Sequence, residues 1–230
     1  MTALAIDLYC GLGGWTEGLL AEGFHVVGFD IEKHEYGDQQ YPAQLVVQDV
    51  LTLDGAQFKD ATLIVASPPC QEYSYMAMPW SRAKAKAAAI RADTTGAETE
   101  RLNALFNSCF RIQKEACAAA GRHIPMVVEN VRGAIPWVGR SRWNFGSFHL
   151  WGDVPALMPP TDNGKKVPGF RFDGSGKSFQ SASVKDSFGW AKESELRRNL
   201  SGSSARKAAS AMIAKIPLPL SRHIAATYRL

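Results

Sequence analysis

Leu4-Ala5-Ile6-Asp7-Leu8-Tyr9-Cys10-Gly11-Leu12-Gly13-Gly14 is an apolar run, interrupted by one acid, that ends in a glycine-rich turn. The run reads as a first strand. Trp15 to Ala21 follow with a helical pattern that stops near Gly23. A glycine-rich turn between strand and helix lets a ligand approach the backbone and holds it at a helix N-terminus. One G-x-G is weak evidence, but the next strand sharpens it. His25-Val26-Val27-Gly28-Phe29 ends in Asp30, seventeen residues after Gly13. An acid at about that distance accepts hydrogen bonds from ribose hydroxyls. Leu45-Val46-Val47-Gln48 is a third strand and ends in Asp49. Either acid alone reads equally as a loop or N-cap residue. Together, at successive strand ends, they fit an adenosine-type ligand lying across the sheet edge. The turn lacks G-x-x-x-x-G-K-[ST], so it is no P-loop. It also lacks the third glycine of a dinucleotide site, so a nucleoside cofactor without a pyrophosphate is expected.

The fourth strand, Leu63-Ile64-Val65-Ala66, runs into Ser67-Pro68-Pro69-Cys70-Gln71-Glu72-Tyr73-Ser74. Two prolines stop the strand and stiffen the turn. Cys70 is the first polarisable group beyond them, at the strand end where open α/β sheets place their chemistry. The competing reading is a small buried hydrophobe, the usual fate of a free cysteine. Arg82 to Arg91 has strong helix formers but little apolar face, so a mobile basic lid and a solvated linker helix are both open readings. Leu102 to Ala120 is an amphipathic helix in which Cys109 and Cys117 read as core packing. Ile124 to Val128 is a fifth strand, followed directly by Glu129-Asn130-Val131. A half-buried carboxyl there would have a raised pKa and could hold a proton. Arg140 and Arg142 alternate in the segment beyond this strand, and His149, in a Gly-interrupted hairpin, reads as a packed or surface histidine.

At 230 residues the chain fits one domain with a small appendage. No apolar run spans a bilayer, and Met1 to Asp7 lacks the basic region of a signal peptide. Four cysteines without a C-x-x-C pair and five scattered histidines suggest neither disulfides nor a zinc site, so a reducing, cytosolic setting is the default. The net charge of +4 hides a polarity. Residues 1–75 hold two basic residues against eleven acids, whereas residues 76–230 hold 24 against 11. The basic part can lie along phosphates and the acidic part cannot. Residues 161–210 carry ten basic and five acidic residues with five interleaved aromatics. That composition suits phosphates and unstacked bases, and equally a loose appendage packed on its own aromatics. Ser204 to Lys215 reads as helical, and Leu220 to Tyr228 closes the chain as a short helix.

In their order these pieces resemble the DNA (cytosine-5)-methyltransferases. Asp7-Leu8-Tyr9-Cys10-Gly11-Leu12-Gly13-Gly14 is similar to that family's D-L-F-x-G-x-G-G, Pro69-Cys70-Gln71-x-x-Ser74 to its P-C-Q-x-x-S, and Glu129-Asn130-Val131 to its E-N-V. Phe145 to Pro159 resembles short phage-borne members with a reduced target-recognition region. The resemblance implies an α/β fold: a Rossmann-like S-adenosylmethionine (SAM)-dependent methyltransferase sheet with helices on both faces, plus a small basic appendage. The catalytic domain would take residues 1–152 and 203–230, with target recognition in 153–202. SAM would be bound by Tyr9, Gly11, Gly13, Asp30 (ribose), Ile31 (adenine face), Asp49 (adenine amino group), Val50 and Pro69. Cys70 would be the nucleophile that adds to carbon 6, Glu129 the acid at N3, and Arg140 and Arg142 the pair that steadies the cytosine O2 and the loop. The partner would be double-stranded DNA with a flipped cytosine. A cytoplasmic monomer in a bacterial or phage-infected cell, using neither metal nor membrane, is expected. Val138 stands where the family has the glutamine of Q-x-R-x-R, and Ile213-Ala214-Lys215-Ile216-Pro217 stands where it has G-N-x-V-P. Two rivals remain. Ser67-Pro68-Pro69 resembles the S-P-P-aromatic motif of amino-methyltransferases acting on cytosine N4 or adenine N6, but Cys70 replaces the aromatic. The other is a catalytically silent module that binds SAM or DNA.

Overall fold

Successive residues of the central strands face opposite sides, and both sides are apolar. In a computed structural model, which describes residues 3–74, 80–158, 211–212 and 214–229, strand β1 is Leu4–Leu8 and β4 is Leu63–Ala66. Ile6, Leu8, Ile64 and Ala66 enter one core, and Ala5, Leu63 and Val65 the other. Strands buried on both faces belong to parallel sheets covered by helices on each side. β2 (His25–Asp30), β3 (Gln44–Val47) and β5 (Met126–Val131) complete the parallel part. β7 (Phe148–Gly152) joins β5 antiparallel, and β6 (Trp143–Phe145) folds back on β7. The order is β3-β2-β1-β4-β5-β7-β6. It is the expected Rossmann-like α/β sheet, with helices on both faces. The order reverses at β1, which lies between β2 and β4, and a crevice at such a reversal is where open sheets bind ligands.

One face carries α1 (Gly14–Ala21) and α5 (Leu218–Tyr228). Trp15, Leu19, Leu220 and Ile224 are buried there with Val26, Val65 and Val127. Burying each such large side chain stabilises the fold by roughly 1.5–3 kcal/mol. The helices come this close because α1 carries Gly18, while Gly14 admits the Lys215-Ile216 backbone just before α5. A Cβ on Gly18 would lie 2.3 Å from Ser221 Oγ and 2.5 Å from the Arg222 nitrogen.

The other face carries α3 (Ala97–Ala120), whose Leu102, Phe106, Cys109, Ile112 and Ala116 pack on the sheet. Polar residues of α3 fasten the surrounding loops. Ser108 Oγ meets the Tyr9 hydroxyl at 2.8 Å. Arg111 donates to the carbonyls of Leu51 and Leu53, and Glu115 accepts from the Gly55 amide at 2.7 Å. Gln113 donates to the Ile124 carbonyl, two residues before β5.

Two expectations change. α2 (Trp80–Ala92) is docked, not a bare solvated helix, because Ala83, Ala87 and Ile90 form a narrow buried stripe. Alanines give a helix little amphipathic contrast, yet their small size lets it lie close to its support. Glu129 lies within β5 rather than after it, because pairing with β7 continues through Glu129, Asn130 and Val131. The proposed target-reading region is described only as far as Met158, and Tyr75 to Pro79 and Ser204 to Ser210 lie outside the described residues. No described helix is long and apolar enough to cross a membrane.

Candidate active site

The parallel strands all present their carboxyl ends on one edge of the sheet. After β1 the chain turns at once: Tyr9 and Gly11 have positive φ, and Gly13, at φ 76, caps α1. Among the described residues Tyr9 is the one non-glycine residue with positive φ (57), and its hydroxyl is tied to α3. The Gly11 amide donates to Asp30 Oδ2 at 2.9 Å, so the acid at the end of β2 is also the anchor of the glycine turn. A Cβ on Gly11 would meet nothing within 4 Å, whereas one on Gly13 would lie 2.5 Å from Pro42 Cδ. Gly11 therefore faces open space and Gly13 a wall. Ile31, the residue after Asp30, has 68% of its surface exposed. Asp49 caps the short helix Val50–Thr52 through the Leu51 amide at 2.9 Å, one of the two readings of that residue. Val50 is fully buried in the core, which leaves only its backbone for a ligand. A cradle of open glycine, a carboxylate and an exposed apolar side chain fits a nucleoside cofactor such as SAM.

The next two strands lead to Cys70 and Glu129, the expected nucleophile and acid. The Cys70 carbonyl accepts from the amides of Tyr73 and Ser74 at 3.0 and 2.9 Å, so residues 70–74 form one tight turn. Pro68 is buried, Pro69 is exposed and Cys70 lies between these extremes. Asn130 Nδ2 donates to the Pro68 carbonyl at 2.8 Å and thus fixes the proline turn to β5. Val128 pairs with Ala66, so Glu129 is level with Ser67. Burial pushes the Glu129 carboxyl up to about 8, partly offset by a hydrogen bond from Ser67. Burial, and then the Glu129 charge, push the Cys70 thiol up to about 11. Near neutral pH this edge therefore holds a thiol beside a protonated carboxylic acid.

A sequence pattern shared by the C-5 cytosine-specific DNA methylases matches residues 4–134. This chain belongs to that family. A methylase relative, the type II methylase M.HgiDII of Herpetosiphon aurantiacus, is 32% identical over 84 residues, covering 32% of this chain and 23% of that protein. Among solved structures, a DNA modification methyltransferase encoded within an E. coli prophage shares 22% identity over 58% of this chain and 33% of that one, with a TM-score of 0.37. The S. pombe Dnmt2 methyltransferase shares 16% over 60% and 37%, with a TM-score of 0.36. The chain thus spans about a quarter of the curated relative and about a third of these structures.

The methylase motifs meet at one edge, but not every expected residue joins them. Arg140 and Arg142 are exposed, and the intervening Ser141 binds His149 Nδ1 at 2.9 Å. Neither arginine side chain makes a hydrogen bond or ion pair with a described residue. His149 is buried and packed on Trp151, as read from the sequence. In the segment where the family has G-N-x-V-P, the Ile216 backbone nitrogen lies 2.4 Å from where a Gly14 Cβ would stand, and Lys215 pairs with Glu17. Ile213 lies outside the described residues. Sequence reading missed the buried support of the glycine turn. Asp7 accepts from Thr16 at 2.6 Å, and Thr16 meets the Tyr41 hydroxyl at 2.6 Å. Tyr41 also fills the space beside Gly28, and a glycine inside a strand was the available signal of a close approach.

Proposed function

We propose that this chain transfers a methyl group from SAM to carbon 5 of cytosine in DNA, through a covalent bond between Cys70 and a base flipped out of the duplex. The observation that carries this reading is the pairing of Cys70 and Glu129 at the ends of adjacent strands, thiol beside neutral acid. Carbon 5 of cytosine is a poor nucleophile. The Cys70 thiol gives its proton to water as its sulfur adds to carbon 6, which forms an S–C bond and turns the ring into an enamine that is a better nucleophile. A face attack of this kind requires the base to leave the stack. Glu129, neutral near pH 7, donates its proton to N3 as the ring gains electron density. Its neutrality also spares the forming thiolate a neighbouring negative charge. Gly11, Gly13, Asp30, Ile31 and Asp49 would hold SAM, with backbone from Val50 and the Pro69 ring at the border. When bound, SAM supplies the electrophilic methyl group. Transfer of the carbon-5 proton to a water molecule then expels the Cys70 sulfur as thiolate, and the N3 proton returns to Glu129. Arg140 and Arg142 are the groups available for the cytosine O2. The basic stretch of residues 161–210 would follow the DNA backbone.

The test is adduct trapping. DNA carrying 5-fluorocytosine cannot lose its carbon-5 substituent, so with SAM present the chain should become covalently bound to it. Cys70→Ser should bind SAM and form no adduct. An adduct that persists in this variant would remove Cys70 from the chemistry.

A further inference from the structure

The turn that bears Cys70 is held from behind by two residues that the chemistry above does not use. Tyr73 is 3% exposed, and its backbone amide closes the turn on the Cys70 carbonyl. Its hydroxyl donates to Asn103 Oδ1 at 2.9 Å and lies 3.2 Å from the Leu102 carbonyl. Asn103, on α3, is 6% exposed, and its Nδ2 donates to the Trp137 carbonyl at 2.9 Å. That carbonyl can only accept, which fixes the amide: nitrogen toward Trp137, oxygen toward Tyr73. Trp137 belongs to the single-turn helix α4 (Ile135–Val138), which leads through Gly139 into Arg140 and Arg142. One buried amide therefore connects the nucleophile turn with the arginine segment, across about thirty residues of chain on either side. α2 closes the joint from outside. Lys86 pairs with Glu72, the Arg91 guanidinium lies 5.3 Å over the Trp137 ring, and Ala83, Ala87 and Ile90 line the groove shared with Tyr73 and Leu102.

We propose that Tyr73 and Asn103 form a positioning joint that sets the Cys70 sulfur in register with the arginine segment for attack on the base. The inference rests on the proposed chemistry, and it adds residues that touch neither substrate nor cofactor. Small displacements of a reacting group cost large factors in rate, so losing this joint should slow attack while sparing affinity.

The test uses the full chain with Tyr73→Phe, Asn103→Leu and the double variant. Tyr73→Phe removes one buried oxygen and keeps the ring, so it decides the matter if Asn103→Leu fails to fold. Two readouts are taken. At saturating 5-fluorocytosine DNA with SAM, the rate constant of adduct formation should fall about 10-fold or more, with Kd for SAM and for DNA within about twofold of wild type. Without DNA, alkylation of Cys70 by iodoacetamide should accelerate, because a loosened turn admits water to the sulfur. The double variant should be no slower than the worse single variant, since both cut the same link. Wild-type adduct rates, or unchanged alkylation, in Tyr73→Phe would overturn the proposal. If the wild-type chain itself forms no adduct, the catalytic reading fails, and the alkylation readout alone decides for or against the joint.

Discussion

The charge of Glu129 bears on that of Cys70. Burial raises the proton affinity of both, and an ionised Glu129 raises that of Cys70 further. Above about pH 8 the carboxylate ionises and opposes thiolate formation. Glu129→Gln removes that charge, so the pH midpoint of Cys70 alkylation by iodoacetamide should move down from about 11. An unmoved midpoint would mean that the two groups do not share a site. The glycine turn offers a second test at this scale. Gly11→Ala strains a left-handed residue, at about 1–2 kcal/mol, and puts its methyl into open space. Gly13→Ala adds a clash with Pro42 and should cost about 2–4 kcal/mol. Paired urea melts and calorimetric SAM titrations should therefore separate them: Gly11→Ala loses affinity more than stability, and Gly13→Ala the reverse. Wild-type SAM affinity in Gly11→Ala would move the cofactor away from this turn. The placement of these glycines, Asp30, Cys70 and Glu129 on one sheet edge is legible in the sequence because each follows or ends an apolar strand. Asn103 and Tyr41 are not, since each matters only through contacts far away in sequence.

Among the elements, α3 carries the organisation that sequence reading saw only in part. Its apolar period announced the helix and its buried face. The polar residues that fasten Tyr9, residues 51–55 and Tyr73 stand on the remaining surface, where period says nothing about partners. α2 shows the opposite difficulty: its composition was read rightly as helical, but its alanine stripe was too small a signal to show docking. The packing of α1 on α5 is set by glycine. Gly18→Ala would drive a methyl into Ser221 and the Arg222 backbone, so a loss of about 1–3 kcal/mol is expected, read as a Tm lowered by several degrees. An unchanged Tm would show that α5 does not sit against α1 in this way.

At the scale of the whole molecule, the strand order reverses at β1, and that reversal brings the glycine turn after β1 and the Cys70 turn after β4 to the same edge of the sheet. The fold also carries a cost in proton balance. Burial pushes Asp7 up to about 8, mitigated by the Thr16 hydroxyl and aggravated by the Asp30 charge. Between about pH 4 and 8 the folded chain keeps this proton and the unfolded chain releases it, so the Asp7 contribution to stability falls as pH rises through that window. Asp7→Asn imitates the neutral acid at every pH. In urea melts its stability relative to wild type should improve from about pH 4 to 8, by a few kcal/mol at most, and level off above. A difference independent of pH would show that Asp7 is already ionised in the fold. The product that leaves the site tests the proposed chemistry most directly. Incubation of the chain with methyl-labelled SAM and DNA, followed by digestion to nucleosides, should place the label in 5-methylcytosine. Label in N4-methylcytosine or N6-methyladenine would contradict it.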